Sequence, residues 1–125
     1  MMNSHLMSQF ADKQYLNLET YRKNGQAVRT PVWFVQEGDV LYLHAVAGAG
    51  KVKRVRHNSQ VRVAPCVRLG NVTGEWLAGE GCVLDVEGLQ RVNQLLDRKY
   101  GEAMAQFRQR NNLHNATWDA IEIRV

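Results

Sequence analysis

Four cations crowd the segment Gly48-Ala-Gly-Lys-Val-Lys-Arg-Val-Arg56: Lys51, Lys53, Arg54 and Arg56, with His57 next in line. The segment follows a strand-like run, Val40–Val46, and a short loop of small residues. If a helix begins near Gly50, Lys51 occupies its first turn, where the positive end of the helix dipole disfavours a cation. An anion held by the free N–H groups of that turn removes the conflict. The chemistry suggested by this pattern is anion binding, with a phosphate as the natural ligand.

Gly50-Lys51 does not belong to a nucleoside triphosphate loop. That motif needs a glycine five residues before Gly50, where Ala45 stands, and a hydroxyl after the lysine, where Val52 stands. The plainer alternative is a surface helix with Val52 and Val55 turned inward and Lys51, Lys53, Arg54 and Arg56 in solvent. A small basic β-domain with aromatics could also bind single-stranded nucleic acid. Tyr15, Trp33, Tyr42 and Trp76 lie on separate predicted strands without a paired stacking motif, so no nucleic-acid partner is expected.

Catalytic side chains are scarce. His44 lies on the third strand and could reach a ligand near Lys51, although a lone strand histidine is more often structural. No carboxylate pair and no Ser/His/Asp or Cys/His arrangement presents itself. Cys66 and Cys82 lack metal-ligand spacing, so no metal is expected and both read as small buried thiols. A phosphate site without an acid–base apparatus suits a cofactor that brings its own chemistry. Catalytic residues are not identified at this level.

The elements that would position this segment form a meander. Leu6 and Phe10 predict a short N-terminal helix capped near Ser4. Alternation from Gln14 through Thr20 predicts a half-buried first strand, and Asn24-Gly25 predicts a two-residue hairpin turn. Ala27–Gln36 reads as the second strand, with Pro31 requiring an edge, a bulge or a ligand on its N–H side. Val40–Val46, Gln60–Val67, Thr73–Val86 and Thr117–Val125 complete six strands. Gly74, Gly79 and Gly81 mark bends or close backbone approach. The period changes to helical over Val86–Tyr100, Gly101 interrupts it, and a more polar helix follows from Glu102 and ends at Asn111-Asn112.

The totals are compatible with this plan. The 125 residues make one domain, 1–125, with an ordinary 45% hydrophobic content. A net charge of +4 and a pI near 9.3 permit an anionic partner without requiring one. No apolar run approaches the ~20 residues that span a bilayer, and the first residues lack a signal-peptide pattern. A cytoplasmic protein without a membrane partner is expected.

Several segments, taken in order, resemble a known family. They are Tyr15-Leu-Asn-Leu-Glu-Thr-Tyr-Arg-Lys-Asn-Gly25, Arg29-Thr-Pro-Val-Trp-Phe34, Gly50-Lys-Val-Lys-Arg-Val-Arg56, Val61-Arg-Val-Ala-Pro-Cys66, Gly74-Glu75 with Gly79-Glu-Gly81, and Arg98-Lys-Tyr-Gly101. From about Gln14 onward the chain resembles the pyridoxamine 5'-phosphate oxidase-like split-barrel family, in its F-420 (deazaflavin)-dependent oxidoreductase branch. The resemblance implies an α+β, mainly β fold: a six-stranded antiparallel split barrel with peripheral helices. It implies a homodimer with two sites at the interface, each holding FMN or deazaflavin F-420 for hydride transfer to or from a small organic substrate. Lys51 would hold the cofactor phosphate, with help from Gly50 and Lys53. The second strand, through Arg29, Thr30, Pro31, Val32 and Trp33, would lie along the ring system, and His44 and Ala45 would line the same cavity. Relatives commonly carry an aromatic and a threonine at the positions of His44 and Ala45, and a serine at that of Ala49. The family's superfamily also includes haem-handling proteins, so the alternative is a binding module for a flavin, haem or other anionic ligand without turnover.

Overall fold

The computed structural model describes residues 4–110 and 117–125, so the expected helix stop at Asn111-Asn112 lies outside the described residues. Seven strands build one antiparallel sheet: β1 (Tyr15–Tyr21), β2 (Ala27–Trp33), β3 (Val35–Glu37), β4 (Val40–Val46), β5 (Gln60–Cys66), β6 (Leu77–Val83) and β7 (Trp118–Arg124). Their order is β2-β1-β5-β6-β7-β4-β3. The helices are α1 (Ser4–Met7), continued by a 3-10 turn at Ser8–Phe10, then α2 (Gly50–His57), α3 (Val86–Tyr100) and α4 (Glu102–Arg110).

The sheet curls around Leu16, Leu18, Leu41, Leu43, Val61, Val63, Ile121 and Ile123, all buried. Each such side chain contributes roughly 1.5–3 kcal/mol of transfer free energy. Val52 and Val55 of α2 plug this core, as their inward spacing predicts. On the other side of β4, α3 lays Val92 and Leu96 over Tyr42 and Ala120. The Asp85 side chain caps α3 by accepting from the Gly88 N–H at 2.9 Å. β2 and β4 approach each other without pairing, which leaves the barrel split along that seam.

Five expectations need correction. The second strand is two strands, which makes seven rather than six, because the chain turns inward at Phe34. That side chain is fully buried and packs edge-on against Phe10 with ring centroids 5.8 Å apart. The break removes Phe34 from the ladder, and the end of α3 satisfies its backbone instead. Tyr100 Oη accepts from the Phe34 N–H at 3.0 Å and donates to Gln14 O at 2.7 Å, while Lys99 Nζ donates to Phe34 O at 2.8 Å. Burial pushes the Tyr100 hydroxyl pKa up and lowers the Lys99 amine to about 8. Tyr100→Phe should lower stability by roughly 1–2 kcal/mol by stranding that N–H, as a denaturant titration would show.

Strand β1 is buried on both faces, not one, since Asn17 and Glu19 are covered as fully as Leu16 and Leu18. The first hairpin turn has three residues rather than two: Gly25 N–H bonds Arg22 O at 2.8 Å and Arg22 N–H bonds Gln26 O at 2.9 Å. Only Gly25 of that loop has positive φ, 88°, so it supplies the bulge position after an ordinary turn. The fifth predicted strand pairs continuously only from Leu77. Beyond it, Gly79 and Gly81 are close-approach positions, for a Cβ on Gly79 would lie 3.0 Å from Arg124 O and one on Gly81 3.2 Å from Val55. Cys66 is buried as expected, whereas Cys82 is exposed.

Candidate functional site

Where β2 and β4 part, a cleft of about 860 Å³ opens. Its first wall is the edge strand β2, which contributes Thr30, Pro31, Val32 and Trp33. Because β2 pairs only with β1, the proline faces no ladder partner on its free side, in agreement with its edge requirement. Pro31 stands opposite Asn17 in the register. The opposite wall is the end of β4, with His44, Ala45 and Val46, and Trp118 pairs with Val46 at the start of β7. Ala103 and Phe107 of α4 close one end.

The walls are braced by aromatic contacts. Trp33 stacks on Tyr100 with centroids 4.4 Å apart and planes 11° apart, and touches Phe107 at 5.2 Å and Tyr15 at 6.3 Å. Tyr15 and Trp33 lie on separate strands, as expected, but the two strands pair with these residues opposite each other, so they are neighbours. His44 stacks on Trp118 at 4.4 Å, and its Nδ1 lies 3.1 Å from Asn93 Oδ1 of α3. These contacts hold both side chains against the wall.

Beyond β4 the chain turns tightly, with the Ala49 N–H on Val46 O at 3.0 Å. Gly48 takes φ 79° in this turn, a conformation glycine adopts without strain. Helix α2 then starts as the spacing predicts. Val52 and Lys53 N–H groups both reach Ala49 O, at 3.0 and 3.1 Å, and the Gly50 and Lys51 N–H groups have no backbone acceptor among the described residues. Ala49 offers no side-chain cap, and the first turn holds no acid. Lys51 stands there half-buried, facing the cleft, without an ion pair among the described residues. Burial, and then the Arg54 charge, hold its amine below the ordinary lysine range.

Of the ten residues predicted for the site, Thr30, Pro31, Val32, Trp33, His44, Ala45 and Lys51 line this one cleft. Arg29, Gly50 and Lys53 do not. Arg29 points to the outer face of the sheet, where it pairs with Glu19 at 2.8 Å and lies over Trp76 at 4.6 Å. Lys53 is exposed on α2. Gly50 gives room to Arg54, since a Cβ there would sit 2.7 Å from the guanidinium. Arg54 is not solvated surface: its Nε donates to Thr20 Oγ1 at 2.7 Å. Arg56 lies 3.9 Å from Asp119.

Gln14, Tyr15, Arg68, Phe107 and Trp118 also line the cleft and were missed. Tyr15 and Trp118 could be found from strand register once their partners are placed. Arg68 arrives on a loop, and nothing in its sequence neighbourhood signals that the loop folds back.

No family model matches the chain, and no curated protein matches it. Solved structures do. A provisional pyridoxamine 5'-phosphate oxidase of Listeria innocua aligns with a TM-score of 0.64 at 13% identity, over 98% of this chain and 92% of that one. An F420-H2 dependent reductase aligns with a TM-score of 0.64 at 15% identity, over 89% and 94%. This chain has the pyridoxamine 5'-phosphate oxidase-like split-barrel fold. The haem storage protein HutZ of Vibrio cholerae shares it, with a TM-score of 0.70 at 13% identity over 96% of this chain and 87% of that one. At such identities the split barrel is what is common, and the site must be argued from its own residues.

A capping substitution probes the helix start of this split barrel. Ala49 has φ −59° and ψ 156°, extended backbone suited to a cap. Ala49→Ser should stabilise the fold by about 1 kcal/mol in thermal melts. Ala49→Asp should stabilise it as well, yet lower affinity for a phosphate-bearing ligand, because its carboxylate would occupy the same N–H groups.

Proposed function

We propose that this chain is an oxidoreductase that binds FMN or deazaflavin F-420 in the cleft and transfers hydride to or from a small organic substrate. One observation carries the reading: a half-buried lysine without a counter-charge among the described residues, in the first turn of an uncapped helix, facing a cleft walled by an edge strand and aromatic rings. A phosphate fits that position. It would accept from the free N–H groups of α2, neutralise Lys51, and relieve the conflict with the helix dipole.

The remaining residues have roles that follow from their placement. Thr30 to Trp33 offer an edge with backbone groups free to meet a planar ring system, and Trp33 is locked by Tyr100 for that purpose. Ala45 is buried and keeps the β4 wall flat. His44, held by Asn93 and Trp118, limits the width of the cleft. The bound flavin or deazaflavin supplies the hydride-transfer centre, so the protein's part is to bind, orient and exclude water. Arg29 and Lys53 are left outside this assignment.

The same reading includes a homodimer whose interface borders the cleft. The exposed Val67, Leu69 and Val72, in and next to the loop whose Arg68 lines the cleft, support it. Among the described residues no helix is long and apolar enough to cross a membrane. A cytoplasmic location belongs to the same proposed reading. A second reading, a carrier or sensor for flavin, haem or another anionic ligand, is favoured by the likeness to the haem storage protein.

The absorbance spectrum of the purified protein, followed by titration with FMN and F-420, separates these readings. Uptake of either cofactor and its reduction by a hydride donor is the expected result. Uptake of neither overturns the oxidoreductase reading, and a bound cofactor that no donor reduces supports the carrier.

A further inference from the structure

Both charged residues lining the cleft are cations, Lys51 and Arg68. They arrive from different elements, Lys51 from the start of α2 and Arg68 from the loop after β5. Among the described residues, Arg29, Arg56, Arg62, Arg91 and Arg124 each lie beside a carboxylate, whereas Arg68 does not.

The loop that carries Arg68 is held in place. Cys66 and Val72 form a bridge, Val67 N–H bonds Asn71 O at 3.1 Å, and Gly70 N–H bonds Val67 O at 2.8 Å. Asn17, buried in the middle of β1, donates from Nδ2 to Gly70 O at 3.0 Å. This fastens the loop tip to the β1–β2 wall, close enough that a Cβ on Gly70 would lie 3.8 Å from Pro31. The guanidinium is thus presented to the cleft from an ordered support rather than from a loose surface segment. Its planar fork matches carboxylate or phosphate geometry, and no acidic residue among the described ones lines the cleft to compete for it.

In the proposed function Lys51 is occupied by the cofactor's phosphate, which leaves Arg68 for the other reactant. Resting on that reading, we infer that the substrate carries an anionic group, a carboxylate or a phosphate, held by Arg68. The cofactor's own tail could supply the same chemistry, and the experiment distinguishes the two.

Benzoate, phenyl phosphate and benzyl alcohol are titrated calorimetrically into FMN-loaded protein, as wild type, Arg68→Gln and Arg68→Lys. We expect wild type to bind at least one of the two anions about tenfold or more tighter than the alcohol. Arg68→Gln should lose that preference, Arg68→Lys should retain part of it, and FMN affinity should stay within about twofold in both. Equal binding of all three probes by wild type overturns the inference, as does an anion preference that survives Arg68→Gln. A marked loss of FMN affinity in Arg68→Gln assigns the arginine to the cofactor and overturns it too. Should wild type take up F-420 instead of FMN, the titrations are run on F-420-loaded protein; if it takes up neither, the cofactor reading has failed by itself. The same titrations on cofactor-free protein then decide whether Arg68 selects anions.

Discussion

Lys51→Ala should abolish retention of the cofactor through purification while leaving the protein folded. A charge-assisted contact to phosphate contributes roughly 1.5–3 kcal/mol, so Kd should rise about ten- to a hundredfold. The stability change should be small and opposite in sign to a usual deletion. Lys51 sits half-buried in the first turn of α2, beside Arg54, with its amine already held below the ordinary range. Removing it takes a cation away from the positive end of the helix, an effect of up to about 1 kcal/mol. The denaturation midpoint should therefore hold or rise slightly. The pH dependence follows from the same shift. The protonated amine binds phosphate, so affinity should fall as pH rises through the lowered Lys51 pKa, at lower pH than for a solvent lysine. In Lys51→Ala that limb of the profile should be flat.

The largest loss of stability should come from Glu19, on the outer face of the sheet. Its carboxylate is almost fully buried, accepts from Tyr21 Oη at 2.6 Å and Arg29 Nε at 2.8 Å, and lies 3.4 Å from Arg62. The register places it directly between the two arginines, opposite Arg29 on β2 and Arg62 on β5. Breaking a buried ion pair from one side costs about 3–5 kcal/mol. Arg29 and Arg62 reach solvent, so Glu19→Ala should cost about 2–3 kcal/mol, or roughly 8–15 °C in Tm. Burial by itself pushes the carboxyl pKa up, but the Tyr21 hydroxyl, Arg29 and Arg62 outweigh it and hold the pKa below 4.5. A depressed carboxyl stabilises the fold above the unfolded value and loses that contribution as pH falls through the folded value. Acid titration of wild type should show this loss below pH 4.5, and Glu19→Gln should remove it. An unchanged acid limb in Glu19→Gln would show that the triad is inert.

Much of the local structure was legible in the sequence because local terms decide it. The 3.6-residue period of Leu89, Val92, Leu96 and Tyr100 specified α3, and the small-residue loop before Lys51 marked the start of α2. Pro31 was legible as an edge position because a missing N–H cannot be hidden inside a ladder. Decisions made by distant residues were not legible. The break at Phe34 depends on Tyr100 and Lys99, more than sixty positions away, accepting and donating where the ladder does not. Arg29 looked like part of a ligand-facing strand, and it shares its face with Pro31 and Trp33, but Glu19 lies opposite it in register and takes its guanidinium into an ion pair outside the cleft. Arg68 was invisible because its loop is anchored by Asn17, which in sequence reads only as a polar residue in a strand. The resemblance pointed to a cofactor lysine, and the structure adds its partial burial, the lack of an ion pair among the described residues and the cleft it faces.

The central claim is that the Lys51 helix start holds a phosphate. Equilibrium binding of FMN and of riboflavin, which differ by that phosphate alone, tests it most directly in wild type and Lys51→Ala. The account predicts that wild type prefers FMN by about tenfold or more, and that Lys51→Ala binds the two equally. Equal affinities in wild type, or a preference undiminished in Lys51→Ala, would contradict it.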